Sequence, residues 1–215
     1  MNNIFILSDK RFEGALNLPV IEFKFFDKKI DLKKYEALIF TSKNGVEAIE
    51  RIDKSWREFP SFSIGKGTQK AVLEKGGNNV FTASSSYGDD FAKEITPLLK
   101  DKKVLFLRAK EVTSSLNTIL KENGVFLDEE VVYETLCADC KKLSTPPEDS
   151  IIIFSSPSTI KCFFKCFRWD ESYTAVTIGK KTASFMPKNM KYFLSKEQTI
   201  DSCIKFARNL RKKIL

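Results

Sequence analysis

The chain has 215 residues, of which 42% are apolar and 30% charged, a composition that excludes an intrinsically disordered protein. It contains no histidine, which excludes Ser-His-Asp triads, Cys-His nucleophiles and histidine-ligated metal centres. The formal net charge of +8 indicates either a lysine-rich surface or an anionic partner. No apolar run reaches the roughly 18 residues of a membrane span, and the N-terminus lacks the basic region of a signal peptide. We therefore expect a cytoplasmic protein.

The N-terminal part of the chain predicts two strands without a full helix between them. The segment IFILSDK at residues 4–10 has the pattern of a strand, and only 12 positions separate Ser8 from Val20. That distance leaves room for little of the helix that usually joins parallel strands. The next segment, VIEFKFF at residues 20–26, alternates apolar and polar side chains as a half-exposed strand does.

The middle of the chain alternates strands with amphipathic helices. The apolar run Ala37–Phe40 predicts a buried parallel strand, and Ser42 is placed to cap the helix that follows. A further strand is expected at VLFLRAK, residues 104–110, and VVYETL at 131–136 alternates like the segment at 20–26. The predicted helices carry their apolar side chains at Val46, Ile49 and Ile52, at Phe91, Ile95 and Leu98, and within residues 116–123 before Gly124.

The C-terminal third repeats this pattern. A buried strand is expected at Ile151–Phe154, followed by Ser156 as N-cap and Pro157 at the first helical position. Pro187 is expected to cut short a helix that begins at Thr182. The remaining helices carry apolar stripes at Ile160, Phe163, Phe164 and Phe167, and at Ile200, Cys203, Ile204 and Ala207 after Thr199.

Two separate blocks of the sequence recur at one spacing, which indicates an internal duplication. ALIFTSKNGVEAI (37–49) matches IIIFSSPSTIKCF (151–163), so that Ser42 corresponds to Ser156. SIGKGTQKA (63–71) matches TIGKKTASF (177–185), so that Thr68 corresponds to Thr182. Both pairs lie 114 positions apart, and NVFTASSS (79–86) recurs as KYFLSKEQ (191–198) at nearly the same spacing. The sequence therefore predicts two similar α/β lobes, each with a parallel sheet.

The positions of the repeats also predict how the chain threads through the two lobes. The N-terminal strand corresponds to the strand at 104–110, which closes the first repeat, so one lobe must be discontinuous. We expect domain 1 at residues 1–18 and 138–215, domain 2 at 28–128, and a two-stranded inter-domain ladder at 19–27 and 129–137. A cleft between the two lobes would then be available for a ligand.

Candidate binding residues follow the predicted strands, because ligands of open α/β sheets bind beyond the carboxyl ends of the strands. Their hydroxyl groups, glycines and cations near helix N-termini are suited to binding anions, although each could simply cap a helix or form a turn. The candidates are Ser42, Lys43, Gly65, Lys66, Thr68, Ser84 and Arg108 in one lobe, and Ser156, Ser158, Gly179, Lys180 and Thr182 in the other.

Tyr133 is the candidate catalytic residue, because it lies on the second crossing between the lobes and could face the cleft; packing on the ladder is the alternative. The complete phosphate-binding loop G-x-x-x-x-G-K-[ST] is absent, and so is a strand followed by G-x-G-x-x-G, so neither nucleotide hydrolysis nor NAD binding is expected.

The cysteines allow two interpretations. Cys137 and Cys140 are spaced C-x2-C, and Cys162 and Cys166 are spaced C-x3-C, so that four thiolates could bind zinc. Because Cys162 and Cys166 lie within an apolar helical pattern, reduced structural cysteines and no metal are the favoured interpretation.

The net charge of +8 is compatible with nucleic acid, but the basic residues are scattered and no nucleic-acid-binding motif is present. A small anionic molecule is the expected ligand, bound either by an enzyme or by a non-catalytic two-lobed binding protein.

The motifs taken together resemble the uroporphyrinogen-III synthase family. LIFTSKNGVEAI, SIGKGT, VLFLRAK, VVYET, IIFSSPSTI and TIGKKTA occur in the family's order and cover most of the chain. The resemblance implies a monomer without metal or organic cofactor that dehydrates and cyclises hydroxymethylbilane. In that reaction the last ring, ring D, is inverted through a spiro-pyrrolenine intermediate.

The same resemblance assigns roles to individual residues. Tyr133 matches a tyrosine suspected of assisting the loss of the substrate's hydroxyl group. Thr68 and Thr182 match threonines of the cleft, and Ser156 and Ser158 match a loop of F-x-S-P-S type. The shortened first connection and Pro187 depart from the family pattern.

Overall fold

The computed structural model describes residues 3–8, 10–83 and 87–214. Its contacts divide the chain into two compact units. The continuous unit is Phe23–Glu134, and the split unit combines the chain up to Glu22 with the chain from Thr135 onward. Both breaks fall inside the segments for which the sequence predicts the ladder. The predicted domain boundaries themselves stay a prediction.

Strands and helices alternate along most of the chain. The strands are β1 (Ile4–Ile6), β2 (Leu16–Asn17), β3 (Ile21–Phe25), β4 (Ala37–Phe40), β5 (Pro60–Ser63), β6 (Asn78–Thr82), β7 (Lys103–Ala109), β8 (Phe126–Cys137), β9 (Ile151–Phe154), β10 (Thr174–Thr177) and β11 (Tyr192–Leu194). The α-helices are α1 (Lys43–Ile52), α2 (Gly65–Glu74), α3 (Gly88–Leu99), α4 (Leu116–Glu122), α5 (Pro157–Cys166), α6 (Lys180–Ala183) and α7 (Ile200–Ile214). Single 3-10 turns occur at Leu32–Lys34, Lys54–Glu58 and Cys140–Lys142.

The continuous unit is built on a sheet with the strand order β3-β8-β7-β4-β5-β6. The pairs from β8 to β6 are parallel, and every residue of β4 is buried, as the apolar run predicts. Helix α1 packs directly on β7, since a Cβ atom at Gly45 would lie 2.8 Å from the carbonyl oxygen of Leu107. This close approach fixes where α1 begins relative to the ends of the strands.

The split unit is built on a sheet with the order β11-β10-β9-β1-β2, whose pairs are all parallel. Strand β1 lies beside β9, so the N-terminal strand joins a sheet that is otherwise completed by the second half of the chain. Apart from Asp9, which is not described, the residues between β1 and β2 form no helix. The short first connection therefore carries no helix in its described residues, as its length of 12 positions predicts.

The connecting segments β3 and β8 pair with each other, as the predicted two-stranded ladder requires, and they also join the sheet of the continuous unit. Strand β8 is 12 residues long and pairs with β7 as well as β3, so the ladder is an edge of the larger sheet rather than a separate element. The hydrogen bonds from Phe26 N to Val132 O and from Ala138 N to Val20 O have the antiparallel arrangement.

One predicted core residue is wrong. Leu98 is 46% exposed, whereas Leu99 is completely buried. The buried face of α3 includes Phe91, Ala92, Ile95 and Leu99, and Leu98 lies outside this face. Helix α6 ends at Ala183, before Pro187, so the last helix of the repeat is short as predicted.

The expectation of reduced cysteines is also wrong. Cys137 is joined to Cys162 and Cys140 to Cys166 by disulfide bonds, whereas Cys203 is a buried free thiol. The apolar helical pattern concealed this arrangement, because residues 162 and 166 lie one turn apart and share a helix face. That face meets the C-x2-C segment at the end of β8.

Candidate functional site

In the continuous unit, the predicted binding residues lie at the carboxyl ends of neighbouring parallel strands. Ser42 and Lys43 follow β4, and Gly65, Lys66 and Thr68 follow β5 in the first turn of α2. The hydroxyl oxygen of Ser42 accepts a hydrogen bond from the amide of Asn44 at 3.1 Å, so Ser42 caps α1 as expected. Lys66 is exposed and Thr68 is buried. One edge of this sheet therefore carries two helix N-termini together with basic side chains.

Tyr133 is placed beside this edge by an irregularity in the sheet. The register of β7 and β8 shifts between Arg108 and Ala109, so that Ala109 lies opposite Tyr133. Such a bulge redirects side chains, and the consecutive residues Val132 and Tyr133 are both buried here, whereas a regular strand would alternate. The sequence offers no signal for this bulge.

The phenol ring of Tyr133 is fixed by aromatic neighbours and by one hydrogen bond. Its ring centroid lies 6.2 Å from that of Phe23 and 6.3 Å from that of Phe25. Burial raises the pKa of Tyr133, and a hydrogen bond with the side chain of Ser42 partly opposes that rise. Ser42 therefore links the cap of α1 to the candidate catalytic residue.

Arg108 is engaged within the protein. Its Nε lies 2.8 Å from a carboxylate oxygen of Glu129, and its guanidinium also donates to the carbonyl oxygens of Ala109 and Lys110. The amide of Lys110 in turn donates to the carbonyl oxygen of Tyr133 at 2.8 Å. The contacts of Arg108 thus hold the end of β7 against the part of β8 that carries Tyr133.

Glu129 collects three partners, and its replacement is expected to destabilise the continuous unit. Lys121 lies 2.9 Å and Asn117 3.2 Å from its carboxylate, in addition to Arg108. Burial alone would raise the pKa of Glu129, but these hydrogen bonds and charges lower it below its ordinary value. We expect Glu129→Gln to lower the free energy of unfolding at pH 7 by about 1–3 kcal/mol, because two cations lose their partner.

The pH dependence and a neighbouring control test that prediction. A carboxylate with a lowered pKa stabilises the folded state above the pKa of the unfolded chain, near 4.3 for Glu, and this contribution is lost as the pH falls. The free energy of unfolding can be measured with urea at pH 7 and at pH 4. Its decrease between these two pH values should be smaller in Glu129→Gln than in the wild type. Glu130, whose partner is the exposed Lys28, is the matched control, and Glu130→Gln should change stability by only about 0.5 kcal/mol. Equal effects of the two substitutions would contradict the assignment.

The split unit presents an equivalent set after β9 and β10. Ser156 and Thr159 form a reciprocal capping box at the start of α5, with Pro157 at the first helical position. Ser158 is half-buried in the first turn of α5. Gly179 precedes α6, Lys180 is exposed, and Thr182 is buried. The sequence pattern thus correctly located these residues beyond the ends of their strands.

The two copies of the glycine position differ in conformation. Gly65 has a φ of +66°, a left-handed conformation that favours glycine, whereas Gly179 has an extended backbone. At Gly179 a Cβ atom would instead lie 3.1–3.2 Å from the side chain of Gln198. Glycine is therefore favoured at 65 by its backbone conformation, whereas at 179 a side chain would crowd Gln198. Ser84, the remaining candidate, lies outside the described residues.

Neither a metal site nor a membrane span is evident in the part of the chain that the structure describes. Within residues 3–8, 10–83 and 87–214, no group of three or more His, Cys, Asp or Glu side chains could hold a metal ion. Over the same residues, no helix is long and apolar enough to cross a membrane.

Comparison with known proteins identifies the family. The family model described as uroporphyrinogen-III synthase HemD matches residues 9–205. The crystal structure of uroporphyrinogen-III synthetase from Helicobacter pylori 26695 is 32% identical to the chain, with a TM-score of 0.83 over 98% of this chain and 100% of that one.

Two structures from a more distant organism share the fold. A mutant uroporphyrinogen-III synthase from the extremely thermophilic bacterium Thermus thermophilus is 14% identical and has a TM-score of 0.60 over 97% of this chain and 98% of that one. The wild-type enzyme in another crystal form has the same identity and a TM-score of 0.50 over 99% of each chain. No curated protein sequence matches the chain significantly. The family match across residues 9–205 and the similarity to the Helicobacter structure show that the chain belongs to the uroporphyrinogen-III synthase family.

Proposed function

We propose that the chain dehydrates and cyclises hydroxymethylbilane to uroporphyrinogen III, inverting ring D through a spiro-pyrrolenine intermediate. The observation that carries this proposal is the family match across residues 9–205. As a member of this family the chain is an enzyme, a lyase of porphyrin biosynthesis. Nothing in the comparisons favours the alternative of a non-catalytic binding protein.

The charge distribution suits this substrate. Each pyrrole of hydroxymethylbilane carries an acetate and a propionate, and the chain has a net charge of +8. Lys43 and Lys66 stand at the N-terminal ends of α1 and α2, where the helix dipole also favours anions. Lys180 occupies the corresponding position in the second repeat. We assign substrate binding to these lysines and to Ser42, Gly65, Thr68, Ser84, Arg108, Ser156, Ser158, Gly179 and Thr182.

The contribution of Arg108 differs from that of the lysines. Its guanidinium is paired with Glu129 and with two backbone carbonyl oxygens. We therefore propose that Arg108 serves the site mainly by holding the end of β7 beside Tyr133.

Tyr133 is proposed to donate a proton to the hydroxyl group that leaves the substrate. A phenol has an ordinary pKa near 10, and burial raises the pKa of Tyr133, so the side chain is protonated at neutral pH. If Ser42 donates to the phenolic oxygen, Tyr133 keeps its own O–H for the leaving group. The group departs as water and leaves an electrophilic azafulvenium cation, which is stabilised by the electron-rich pyrrole and reacts without an imidazole base.

The larger part of catalysis is assigned to positioning. Hydroxymethylbilane closes spontaneously to the symmetrical isomer I, so the enzyme must hold the terminal rings in the arrangement that leads to inversion. Fixing two reacting ends of one flexible molecule is proximity catalysis, and it needs many weak contacts rather than one strong acid or base.

We also propose that the protein acts in the cytoplasm as a monomer that does not bind nucleic acid. Size-exclusion chromatography with light scattering measures the mass directly. A protein that uses its net charge of +8 to bind nucleic acid should bind immobilised DNA with an affinity that falls steeply with salt. We expect one chain per particle and no retention on DNA at physiological salt.

The activity is tested by supplying hydroxymethylbilane generated enzymatically, oxidising the products and separating the uroporphyrin isomers. Isomer III is expected to dominate. Exclusive formation of isomer I by the folded protein would contradict the proposed reaction.

A further inference from the structure

Two disulfide bonds join the end of strand β8 to helix α5 within the split unit. Cys137, the last residue of β8, is bonded to Cys162, and Cys140, in the following 3-10 turn, is bonded to Cys166. The paired Cα atoms are 5.1 and 5.0 Å apart, and the bonds span 25 and 26 residues of sequence. The two bonds lie side by side, because Cys162 and Cys166 are one turn apart on the same face of α5.

Helix α5 has support that does not depend on these bonds. Its first turn is closed by the capping box of Ser156 and Thr159. Phe163 packs against Phe154 of β9 and against Phe167, with ring centroids 5.5 and 5.2 Å apart. A capped helix with a buried aromatic face is expected to stay folded when the disulfides are reduced. The bonds are therefore not required to form α5.

The C-x2-C segment depends on the disulfides much more. Its backbone contacts with the rest of the split unit include the hydrogen bond from Ala138 to Val20. Asp139 and Cys140 accept hydrogen bonds from Lys141, Lys142 and Leu143, but these contacts lie within the turn itself. From Leu143 to the start of β9 the chain has no helix or strand. Breaking the disulfides would therefore loosen the end of β8 and the 3-10 turn, whereas the loop that follows is also held by hydrogen bonds from Tyr173 to Pro146 and from Asn3 to Glu148.

The surroundings of the sulfur atoms suit exchange chemistry. Cys137, Cys140 and Cys166 are partly exposed, whereas Cys162 is 3% exposed. Lys141, Lys142, Lys161 and Lys165 are direct or near sequence neighbours of the four cysteines. Thiolates are the reactive species in disulfide exchange.

We propose that Cys137, Cys140, Cys162 and Cys166 form a reversible thiol–disulfide site that controls how firmly the end of β8 is held on α5. The inference rests on the proposed cytoplasmic location, because disulfides in that compartment are usually transient or redox-sensing. A dithiol reductant transfers two electrons and two protons to each disulfide, giving two thiols and the reductant's own disulfide. A small-molecule disulfide oxidant reverses the step and leaves as two thiols.

The exposures predict an order of reduction. A dithiol must reach one sulfur of the bond that it attacks, and both residues of the Cys140–Cys166 bond are partly exposed. In the Cys137–Cys162 bond, one residue, Cys162, is buried. We therefore expect the Cys140–Cys166 bond to be reduced at lower concentrations of dithiothreitol.

The full chain is tested by incubating it in glutathione disulfide or in dithiothreitol, unfolding it in the presence of excess iodoacetamide so that buried free thiols also react, and measuring the mass. We expect one alkylated cysteine, Cys203, in the oxidised form and five in the reduced form, with full interconversion. The reduced form should stay folded by circular dichroism and melt about 5–10 °C lower. These readouts do not involve activity, so they are independent of the proposed reaction.

Variants and elemental analysis complete the test. Cys203→Ser, the matched control, should leave both disulfides and the redox-dependent melting shift in place. A Cys140→Ser, Cys166→Ser double variant should keep the Cys137–Cys162 bond. Failure of the four cysteines to oxidise, or one equivalent of zinc bound by the reduced protein, would overturn the proposal in favour of reduced thiols or a metal centre. Disulfides that resist dithiothreitol until the protein unfolds would also overturn it.

Discussion

Replacing the phenol of Tyr133 by a phenyl ring, Tyr133→Phe, is expected to lower kcat by roughly 10–100-fold without abolishing activity. The substitution removes one hydroxyl group and retains the ring that packs between Phe23 and Phe25, so the fold should be preserved. Residual turnover is expected because the proposed positioning of the substrate does not need the phenol. Single-turnover formation of isomer III measures the effect on chemistry directly.

Tyr35→Phe is the matched control for that experiment. Tyr35 is in the same unit, and its hydroxyl group hydrogen-bonds to Asp128, outside the proposed site. Its replacement should leave kcat within about twofold of the wild type. A Tyr133→Phe enzyme with unchanged kcat, or one that is folded but completely inactive, would contradict the role given to Tyr133.

The pKa of Tyr133 also makes a prediction about alkaline pH. Burial raises this pKa above its ordinary value near 10, so the proton-donating form persists through the whole neutral range. Ionisation of Tyr133 should therefore cause no fall in kcat below about pH 10. The kcat of Tyr133→Phe divided by the kcat of the wild type should therefore stay constant between about pH 6 and pH 9.

Reversing the charge of the lysines at the strand ends is expected to weaken substrate binding. Lys66→Glu and Lys180→Glu should each raise KM about tenfold. Each substitution removes an attraction to a substrate carboxylate and adds a repulsion, and the two changes together are worth roughly 1–1.5 kcal/mol. Both side chains are exposed, so stability should change little. Since we propose that each lysine contacts the substrate separately, their effects on KM should multiply in the double variant.

Lys188→Glu provides the same change of charge elsewhere. Lys188 is exposed and lies in the segment after α6, away from the carboxyl ends of the strands. It should change KM by less than about twofold, and raising the ionic strength should reduce the effects at Lys66 and Lys180. Equal effects of all three substitutions would show that net charge alone matters and that the strand-end positions are not special.

The duplication is the reason that so much of the fold could be predicted from sequence. Two pairs of matching blocks, each pair 114 positions apart, indicated which strands and helix caps of one unit correspond to those of the other. The caps at Ser42 and Ser156 were confirmed. Helix caps are local features, since the side chain and the amide that it binds lie within a few residues.

Features that depend on distant contacts escaped prediction. The bulge that places Val132 and Tyr133 on the buried side comes from pairing with β7, and no pattern within VVYETL encodes it. The disulfides join segments about 25 residues apart, and local periodicity cannot reveal such partners. The link between Ser42 and Tyr133 likewise needs two elements that are distant in sequence.

The distribution of uroporphyrin isomers against protein concentration is the measurement that bears most directly on the proposed reaction. Unassisted closure of hydroxymethylbilane and closure on the protein compete for the same substrate, and only the second inverts ring D. The fraction of isomer III should rise from near zero without protein to almost the whole product at saturating protein. If the folded chain is present in excess and isomer I still forms as it does in buffer, the chain does not direct the ring closure.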